Sequence, residues 1–155
     1  MNRLLKIAGI VLAVVTIAGA ATYAYAASRS ETKMLGVVVA AKNAAFDVQD
    51  QPGVFTTIAV GPVLAPGPSW VVVHLDVDGK PGPRVGLAHV GAGETRTVTV
   101  VLDPTIELTE KLLVALHADR GVTGAFEFDM DKFEASPDKP YFVDGMELAK
   151  AVRVK

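Results

Sequence analysis

The sequence predicts an all-β domain, an Ig-like antiparallel β-sandwich of about seven to eight strands, preceded by an apolar N-terminal signal or anchor helix. Two observations lead to this fold class. Short apolar runs recur at intervals of about ten to fifteen residues from residue 35 onward, with Gly- and Pro-rich turns between them. No long stretch shows the 3.6-residue periodicity of an amphipathic helix.

The first segment, residues 1–26, is typical of a secretory signal peptide. Arg3 and Lys6 form a short basic start, an apolar uncharged stretch follows, and Ala24-Tyr25-Ala26 supplies the small residues that a signal peptidase requires. Cleavage is therefore predicted near Ala26. The alternative is an uncleaved N-terminal membrane anchor, because residues 7–27 are uncharged and long enough to span a bilayer. In both cases the N-terminal positive charge predicts an extracytoplasmic domain, either secreted or periplasmic, or anchored.

A polar linker, residues 27–34, precedes the predicted domain at residues 35–155. The runs predicted as strands are 35–41, 55–60, 70–76, 85–90, 94–102, 112–118, 125–128 and 151–154. Residues 60–69 are predicted as a turn-rich connection, and residues 138–144 as part of a long loop. Asp78-Gly79 opens the clearest turn, which continues to Pro83, because Gly supplies positive φ and Pro fixes φ.

Alternation along these strands predicts which side chains are buried, since residues two apart share a face. Trp70, at the head of an apolar run, is assigned to the core. The Thr side chains between the apolar residues of the 94–102 run are assigned to the opposite face. The alternating residues predicted to point inward are Val98, Val100, Leu102, Phe126, Phe128, Val152 and Val154.

Charge and cysteine content exclude several classes of function. Outside residues 1–26, 13 basic residues face 17 acidic ones, which gives a formal net charge of −4. This balance argues against nucleic acid as a partner, because binding phosphates requires a basic patch. Cysteine is absent, so neither a disulfide nor a catalytic thiolate is available.

Two predicted strands end in His-x-Asp, as His74 with Asp76 and as His117 with Asp119. If the strands pair, the four side chains converge at one end of the sheet, where imidazole and carboxylate suit a divalent zinc or copper ion. Such a shared site needs the two rings within about 5 Å, since Zn–N bonds are about 2 Å. The favoured alternative is a structural cluster in which each carboxylate holds an imidazole, because the strong metal-binding spacings are absent.

Other candidate sites are weaker. Glu127, Asp129 and Asp131 share a face, as calcium ligands would, but the calcium-loop pattern is missing, and a solvated acidic edge is favoured. Ser69 and Ser136 lie in Pro-flanked segments without a nucleophile-elbow motif, so no catalytic residue is predicted. No cofactor is predicted. The aromatic pair at 141–142 is interpreted as part of a loop over the core rather than as a recognition patch.

Residues from about 60 to 155 resemble a known domain family. The matching elements are Trp70-Val-Val-Val-His74, the run from Gly93 to Leu102, the stretch from His117 to Phe128 with the pattern His-x-Asp-x-Gly-x-x-Gly-x-Phe-Glu-Phe, and Asp138-Lys-Pro140-Tyr141. These elements are similar to an uncharacterised domain found in surface glycoproteins of halophilic archaea and in exported bacterial proteins. Relative to this domain, residues 129–136 look like an insertion before the Asp138-Lys-Pro140 element. The resemblance implies a β-sandwich at the cell surface and brings no activity, ligand or catalytic residue.

Together these observations predict a non-enzymatic module of the cell envelope or extracellular space, structural or binding in role. The alternative is a divalent-metal-binding exported module that uses the His/Asp cluster. Contact with a membrane is expected only through an uncleaved N-terminal segment. The sequence does not identify a protein or envelope partner.

Overall fold

The structure, a computed structural model, describes residues 39–52 and 56–154. The predicted signal or anchor segment and the linker lie outside the described residues, as do residues 35–38 and Phe55 of the first two predicted strands. The described part is all-β, with twelve strands, one short 3-10 helix at Met130–Lys132 and no α-helix. Within these ranges no helix has the length and apolar character needed to cross a membrane.

The twelve described strands form four sheets. They are β1 (Val39–Ala40), β2 (Ala45–Phe46), β3 (Thr57–Val60), β4 (Val63–Ala65), β5 (Ser69–Val77), β6 (Lys80–Val90), β7 (Gly93–Thr95), β8 (Val98–Val101), β9 (Lys111–Ala118), β10 (Tyr141–Val143), β11 (Met146–Glu147) and β12 (Ala149–Arg153).

The largest sheet is four-stranded and antiparallel throughout, in the order β12-β9-β5-β6. Two smaller antiparallel sheets have the orders β2-β4-β7 and β3-β8. The fourth has the order β1-β10-β11, in which β1 and β10 run parallel. An isolated antiparallel bridge joins Gly86 of β6 to Leu102, the residue that follows β8.

The central strands β5 and β9 are buried on both faces. Their sequences explain this, because β5 begins Trp70-Val-Val-Val and β9 contains an unbroken apolar run from Leu112 to Leu116. A strand with one solvated face alternates apolar and polar residues, whereas a strand covered on both faces reads as a continuous apolar run. The two faces of this sheet are therefore both interior surfaces.

One face of the large sheet forms the aliphatic core with the other sheets. Val98, Val100 and Leu102 belong to this core, as do Val152 and Val154, which confirms the predicted faces of their runs. The remaining buried members are Ala44, Phe46, Ile58, Val60, Val63, Ala65, Val71, Val73, Val85, Val90, Leu112, Val114, Leu116, Ala118 and Tyr141.

Two hairpins, β5–β6 before β9 in the chain and β10–β11 after it, are each closed by an Asp-Gly turn. Asp78 and Gly79 have φ of 53° and 77° between β5 and β6, and Asp144 and Gly145 have φ of 51° and 80° between β10 and β11. Positive φ at both central residues defines a type I′ turn, which matches the twist of the flanking strands. The first turn was predicted, although it is shorter than expected, because β6 already begins at Lys80.

Three local predictions were wrong. Residues 125–128 form no strand, because they belong to a long irregular segment with Phe126 and Phe128 half-buried and Glu127 exposed. Residues 94–102 form two strands in different sheets, since β7 pairs with β4 while β8 pairs with β3. The aromatic pair at 141–142 lies in strand β10 rather than in a loop. Strands β2, β4 and β11 were also not predicted, which is why the described strands outnumber the expected seven to eight.

Candidate functional site: the histidine face and its covering segment

All three histidines of the chain lie on the second face of the large sheet, which we call the histidine face. Trp70 on β5 is paired with His89 on β6 and with His117 on β9, so these three side chains form a row across three strands. Trp70 and His89 have ring centroids 4.7 Å apart. His74 stands further along β5, and its ring stacks on that of His117 with a centroid separation of 6.1 Å. Trp70 is therefore buried as predicted, but outside the aliphatic core.

Residues 119–140, which we call the covering segment, lie over this face. Phe126 packs against Trp70 and His117 with centroid distances of 5.7 and 5.6 Å, and Phe128 packs edge-on against His117 at 4.8 Å. Phe133 extends the aromatic contacts by packing against Phe128. The histidine face is thus closed by aromatic rings from a segment with little regular secondary structure of its own.

Asp138 is the main polar anchor of the covering segment. Its side chain is fully buried, and its carboxylate accepts hydrogen bonds from the backbone N–H groups of Arg120 (2.8 Å), Gly121 (3.2 Å) and Glu127 (2.8 Å). Its backbone carbonyl oxygen lies 3.1 Å from Nδ1 of His117. One residue therefore ties both ends of the covering segment together and fixes it to β9.

Asp119 forms a second anchor at the start of the segment. Its Oδ2 lies 2.8 Å from Nε2 of His89 and accepts the backbone N–H of Gly124 at 2.9 Å. The side chain of Asp119 is fully buried, while that of His89 is 35% exposed. The predicted partner of Asp119 was His117, but the residue that it contacts is the histidine two strands away.

The acidic residues that share a face in the sequence pattern, as calcium ligands would, also serve the covering segment. Glu127 accepts the backbone N–H of Val122 through Oε2 at 2.6 Å. Asp129 accepts the N–H of Asp131 at 3.0 Å and so caps the short 3-10 helix. Glu127 and Asp129 therefore point to different local donors rather than to one common centre.

Hydrogen bonding fixes the tautomers of the two stacked histidines. Nδ1 of His74 lies 2.8 Å from the carbonyl oxygen of Gly82, and Nδ1 of His117 faces that of Asp138. A carbonyl oxygen only accepts, so each neutral ring carries its proton on Nδ1 and its lone pair on Nε2. Burial lowers the pKa of His117 to about 4, and burial, assisted by the charge of Arg84, lowers the pKa of His74. Both rings are therefore neutral at pH 7.

Three buried polar atoms of this layer lack a hydrogen-bond partner among the described residues: Nε1 of Trp70, Nε2 of His74 and Oδ1 of Asp119. An unpaired buried donor or acceptor costs about 1–3 kcal/mol. No comparable atom occurs in the aliphatic core as described. Of the two interior surfaces, the histidine face is therefore the one whose buried polar atoms have fewer of their hydrogen bonds formed.

The structure brings together only part of the predicted metal site. Strands β5 and β9 are neighbours, and His74 stacks on His117, but the strands are antiparallel, with Leu75 opposite Leu112. The C-terminal ends of β5 and β9 therefore point in opposite directions. Asp76 and Asp119 lie at opposite ends of this strand pair, about 25 Å apart along the strand direction. The ring centroids, at 6.1 Å, also exceed the separation of about 5 Å expected for a shared ion.

Asp76 does not reach His74 either. No hydrogen bond joins the two side chains among the described residues, although β5 keeps a regular register with β9 through Leu75 and the register shifts beside His74 lie in its pairing with β6. The carboxylate of Asp76 instead accepts the backbone N–H of Gly79 at 2.6 Å inside the hairpin turn. In the part of the chain that the structure describes, no group of three or more His, Cys, Asp or Glu side chains is arranged to hold a metal ion.

Ser69 and Ser136 both have structural hydrogen bonds. Ser69 donates to the carbonyl oxygen of Gly67 and lies 3.2 Å from the hydroxyl of Tyr141. Ser136 accepts the N–H of Asp129 at 2.9 Å and reaches the carbonyl oxygens of Asp129 and Lys132. Within residues 39–52 and 56–154, neither hydroxyl is hydrogen-bonded to a histidine.

Sequence reasoning missed three residues of this region: Arg84, His89 and Asp138. His89 lies in a predicted strand. To place it beside Trp70 and Asp119, however, one must know which strands are neighbours in the sheet. In the sequence, Asp138 stands out only as the first residue of an Asp-x-Pro element. A buried carboxylate that accepts three N–H groups has no local signature, because its donors lie 11 to 18 residues away in sequence.

The fold and site define an all-β domain whose central sheet has one aliphatic face and one face of histidines closed by an irregular segment. A family model described as a domain of unknown function, DUF7282, matches residues 44–155. The chain belongs to this family, and the match confirms the resemblance to an uncharacterised domain. No curated protein and no solved structure matches the chain.

Proposed function

We propose that the protein is a non-enzymatic module of the cell envelope or extracellular space, with a structural or binding role. In this proposal the sheets form the two layers of an Ig-like β-sandwich. The β12-β9-β5-β6 sheet is one layer, and the β2-β4-β7 and β3-β8 sheets lie across the aliphatic core from it.

The observation that best supports a non-enzymatic role is that the polar groups of the histidine face are engaged in hydrogen bonds with the backbone. Asp138, Asp119 and Glu127 accept backbone N–H groups, and His117 donates to a backbone carbonyl. Groups that act as acids, bases or nucleophiles need access to a substrate. Carboxylates engaged in closing a buried layer suit a structural role better than catalysis.

The sequence supports the extracytoplasmic location. Residues 1–26 combine a basic start, an apolar stretch and Ala24-Tyr25-Ala26, and the resemblance to archaeal and bacterial surface proteins points the same way. The absence of cysteine is compatible with export, since the large double-covered sheet supplies a core that needs no disulfide.

Fractionation followed by intact-mass analysis of the native protein tests this proposal. We expect the chain in the secreted, periplasmic or membrane fraction, with a mass that lacks residues 1–26 if a signal peptidase cleaves after Ala26. A variant with Ala24→Leu and Ala26→Leu should keep its N-terminus and stay with the membrane. An intact chain found in the cytoplasm would contradict the proposal.

Native mass spectrometry of the same sample tests the metal-binding alternative. Bound zinc or copper that is lost in His74→Phe and His117→Phe variants would favour a metal-binding module. That alternative has one supporting feature, because each ring already donates Nδ1–H to a backbone carbonyl, as metal-binding histidines usually do through their second nitrogen.

A further inference from the structure

A cleft of about 760 Å³ opens between the β5–β6 hairpin and the covering segment. One wall is formed by the residues Pro81 to Arg84 of the hairpin, and the other by Phe126, Phe128, Asp129 and Met130 of the covering segment, with His74 between them. Its volume lies within the range of pockets that hold small organic molecules.

The walls of the cleft are largely apolar. Phe126 and Phe128 are half-buried, so each ring contacts the histidine face and also keeps part of its surface on the cleft. Met130 is 56% exposed, and Pro81 adds rigid apolar surface on the opposite wall. Such walls suit the hydrocarbon or aromatic part of a ligand.

Arg84 supplies a positive charge at this cleft. Its guanidinium lies over the ring of Phe126, with Cζ 5.1 Å from the ring centroid, and this contact holds the side chain against the wall. No ion pair or hydrogen bond joins the Arg84 side chain to another described residue. Its five N–H donors are therefore available to a ligand.

The acidic residue of the cleft, Asp129, forms no ion pair with Arg84. Asp129 caps the 3-10 helix through Oδ1, and its Oδ2 lies 3.6 Å from Nζ of Lys132. His74 is neutral at pH 7, because burial lowers its pKa. Arg84 is therefore the one charged residue of the cleft lining that has no charged partner among the described residues.

We propose that this cleft binds an organic carboxylate, with the carboxylate on the guanidinium of Arg84 and the apolar body against Phe126 and Phe128. Guanidinium is the group that pairs with carboxylate in bidentate geometry, and a partly desolvated aromatic wall strengthens the pair. This inference rests on the proposed binding role and adds the ligand class to it.

A titration of the full-length, isotopically labelled protein with 3-phenylpropionate tests the proposal by amide NMR. We expect saturable shifts at Gly82 and at residues 126–130, and at least tenfold weaker binding of the neutral analogue 3-phenylpropanamide. Acetate, which has the charge without the apolar body, should also bind at least tenfold more weakly.

Arg84→Gln should lower the affinity for 3-phenylpropionate at least tenfold and abolish the preference for acid over amide. Arg96→Gln, the same change at an exposed arginine outside the cleft lining, should leave both affinities unchanged. The amide spectra show whether each variant is folded. A variant of Arg84 that keeps the acid preference overturns the proposal.

The remaining outcomes distinguish a failure of the carboxylate-binding proposal from a failure of the proposed function. Equal binding of acid and amide at the cleft would refute the charge selectivity and leave a binding module. Absence of saturable binding at millimolar concentration would refute the ligand class, whereas export is decided independently by the mass analysis above.

Discussion

The two faces of the β12-β9-β5-β6 sheet are buried by different physical means. One face packs its aliphatic side chains in one cluster with those of the other sheets, and these contacts depend neither on charge nor on protonation. The other face carries Trp70 and three histidines, and the covering segment closes it through aromatic rings and hydrogen bonds to two buried carboxylates. Burial by itself therefore does not define a uniform core. We expect the two faces to respond differently to substitution and to pH.

The largest effect is expected from a charge placed in the aliphatic core. Val100 is fully buried on β8, so Val100→Asp should destabilise the protein by about 4 kcal/mol or more, enough to unfold a domain of ordinary stability. The neighbouring Thr99 is exposed, and Thr99→Asp should change the free energy of unfolding by about 0.5 kcal/mol or less. Urea denaturation measures both. A similar loss in the two variants would invert our assignment of the strand faces.

The polar anchor of the other face is tested by Asp138→Ala. This substitution leaves three backbone N–H groups without their acceptor, and we expect a loss of about 3–4 kcal/mol. Limited proteolysis should then cut within the covering segment before it cuts the sheets. Asp131→Ala, at an exposed position of the same segment, is the matched control and should have little effect. Equal protease resistance of the two variants would refute the anchoring role.

Acid should weaken the histidine face selectively. The pKa of His117 in the closed state is about 4, below its ordinary value of 6.5, so the closed state binds fewer protons than the open state. Stability from this burial is complete above about pH 6.5, declines as the pH falls, and is lost below about pH 4, with a total of about 3 kcal/mol. The neighbouring His74, whose pKa is also lowered, acts in the same direction.

His117→Asn isolates this contribution, because an amide N–H can still donate to the carbonyl of Asp138 but does not titrate in this range. Denaturation curves between pH 4 and 7 should show a clearly smaller loss of stability in the variant than in the wild type. An unchanged pH dependence would show that His117 is not the responsible group.

The smallest effect on stability is expected from a substitution of Trp70 on the histidine face. Trp70→Phe removes a buried N–H that has no partner among the described residues, and this gain offsets part of the lost packing. We expect a change of about 1 kcal/mol or less. Leu116→Ala, on the aliphatic face of the adjacent strand, should cost about 2–5 kcal/mol. Thermal melts of the two variants with equal losses would contradict this difference between the faces.

The aliphatic half of the fold was largely predictable from sequence. Val98, Val100 and Leu102 alternate with threonines, and this pattern alone places them in the core. Asp78-Gly79 marks a type I′ turn by its residue types, and Asp144-Gly145 carries the same signal. These features are local, so a short window of residues contains the information.

The histidine face was not predictable in the same way. The i, i+2 rule placed Asp76 beside His74, but the carboxylate of Asp76 accepts the backbone N–H of Gly79 in the hairpin turn instead. Asp119 reaches His89, which lies 30 residues away and depends on the strand order β9-β5-β6. The alternation of Phe126 and Phe128 indicated a strand, yet their rings are held by tertiary contacts with Trp70 and His117. Long-range pairing, rather than local propensity, determines this layer.

Amide hydrogen exchange at pH 7 and pH 5 is the most direct test of the difference between the two faces. After correction for intrinsic rates, the amides of Arg120, Gly121 and Glu127, which donate to Asp138, should lose protection at pH 5. The amide of Leu116 in the centre of β9, which donates to the carbonyl oxygen of Leu148 just before β12, should stay protected. Loss of protection in both groups together, or in neither, would contradict the account that the covering segment closes the histidine face independently of the aliphatic core.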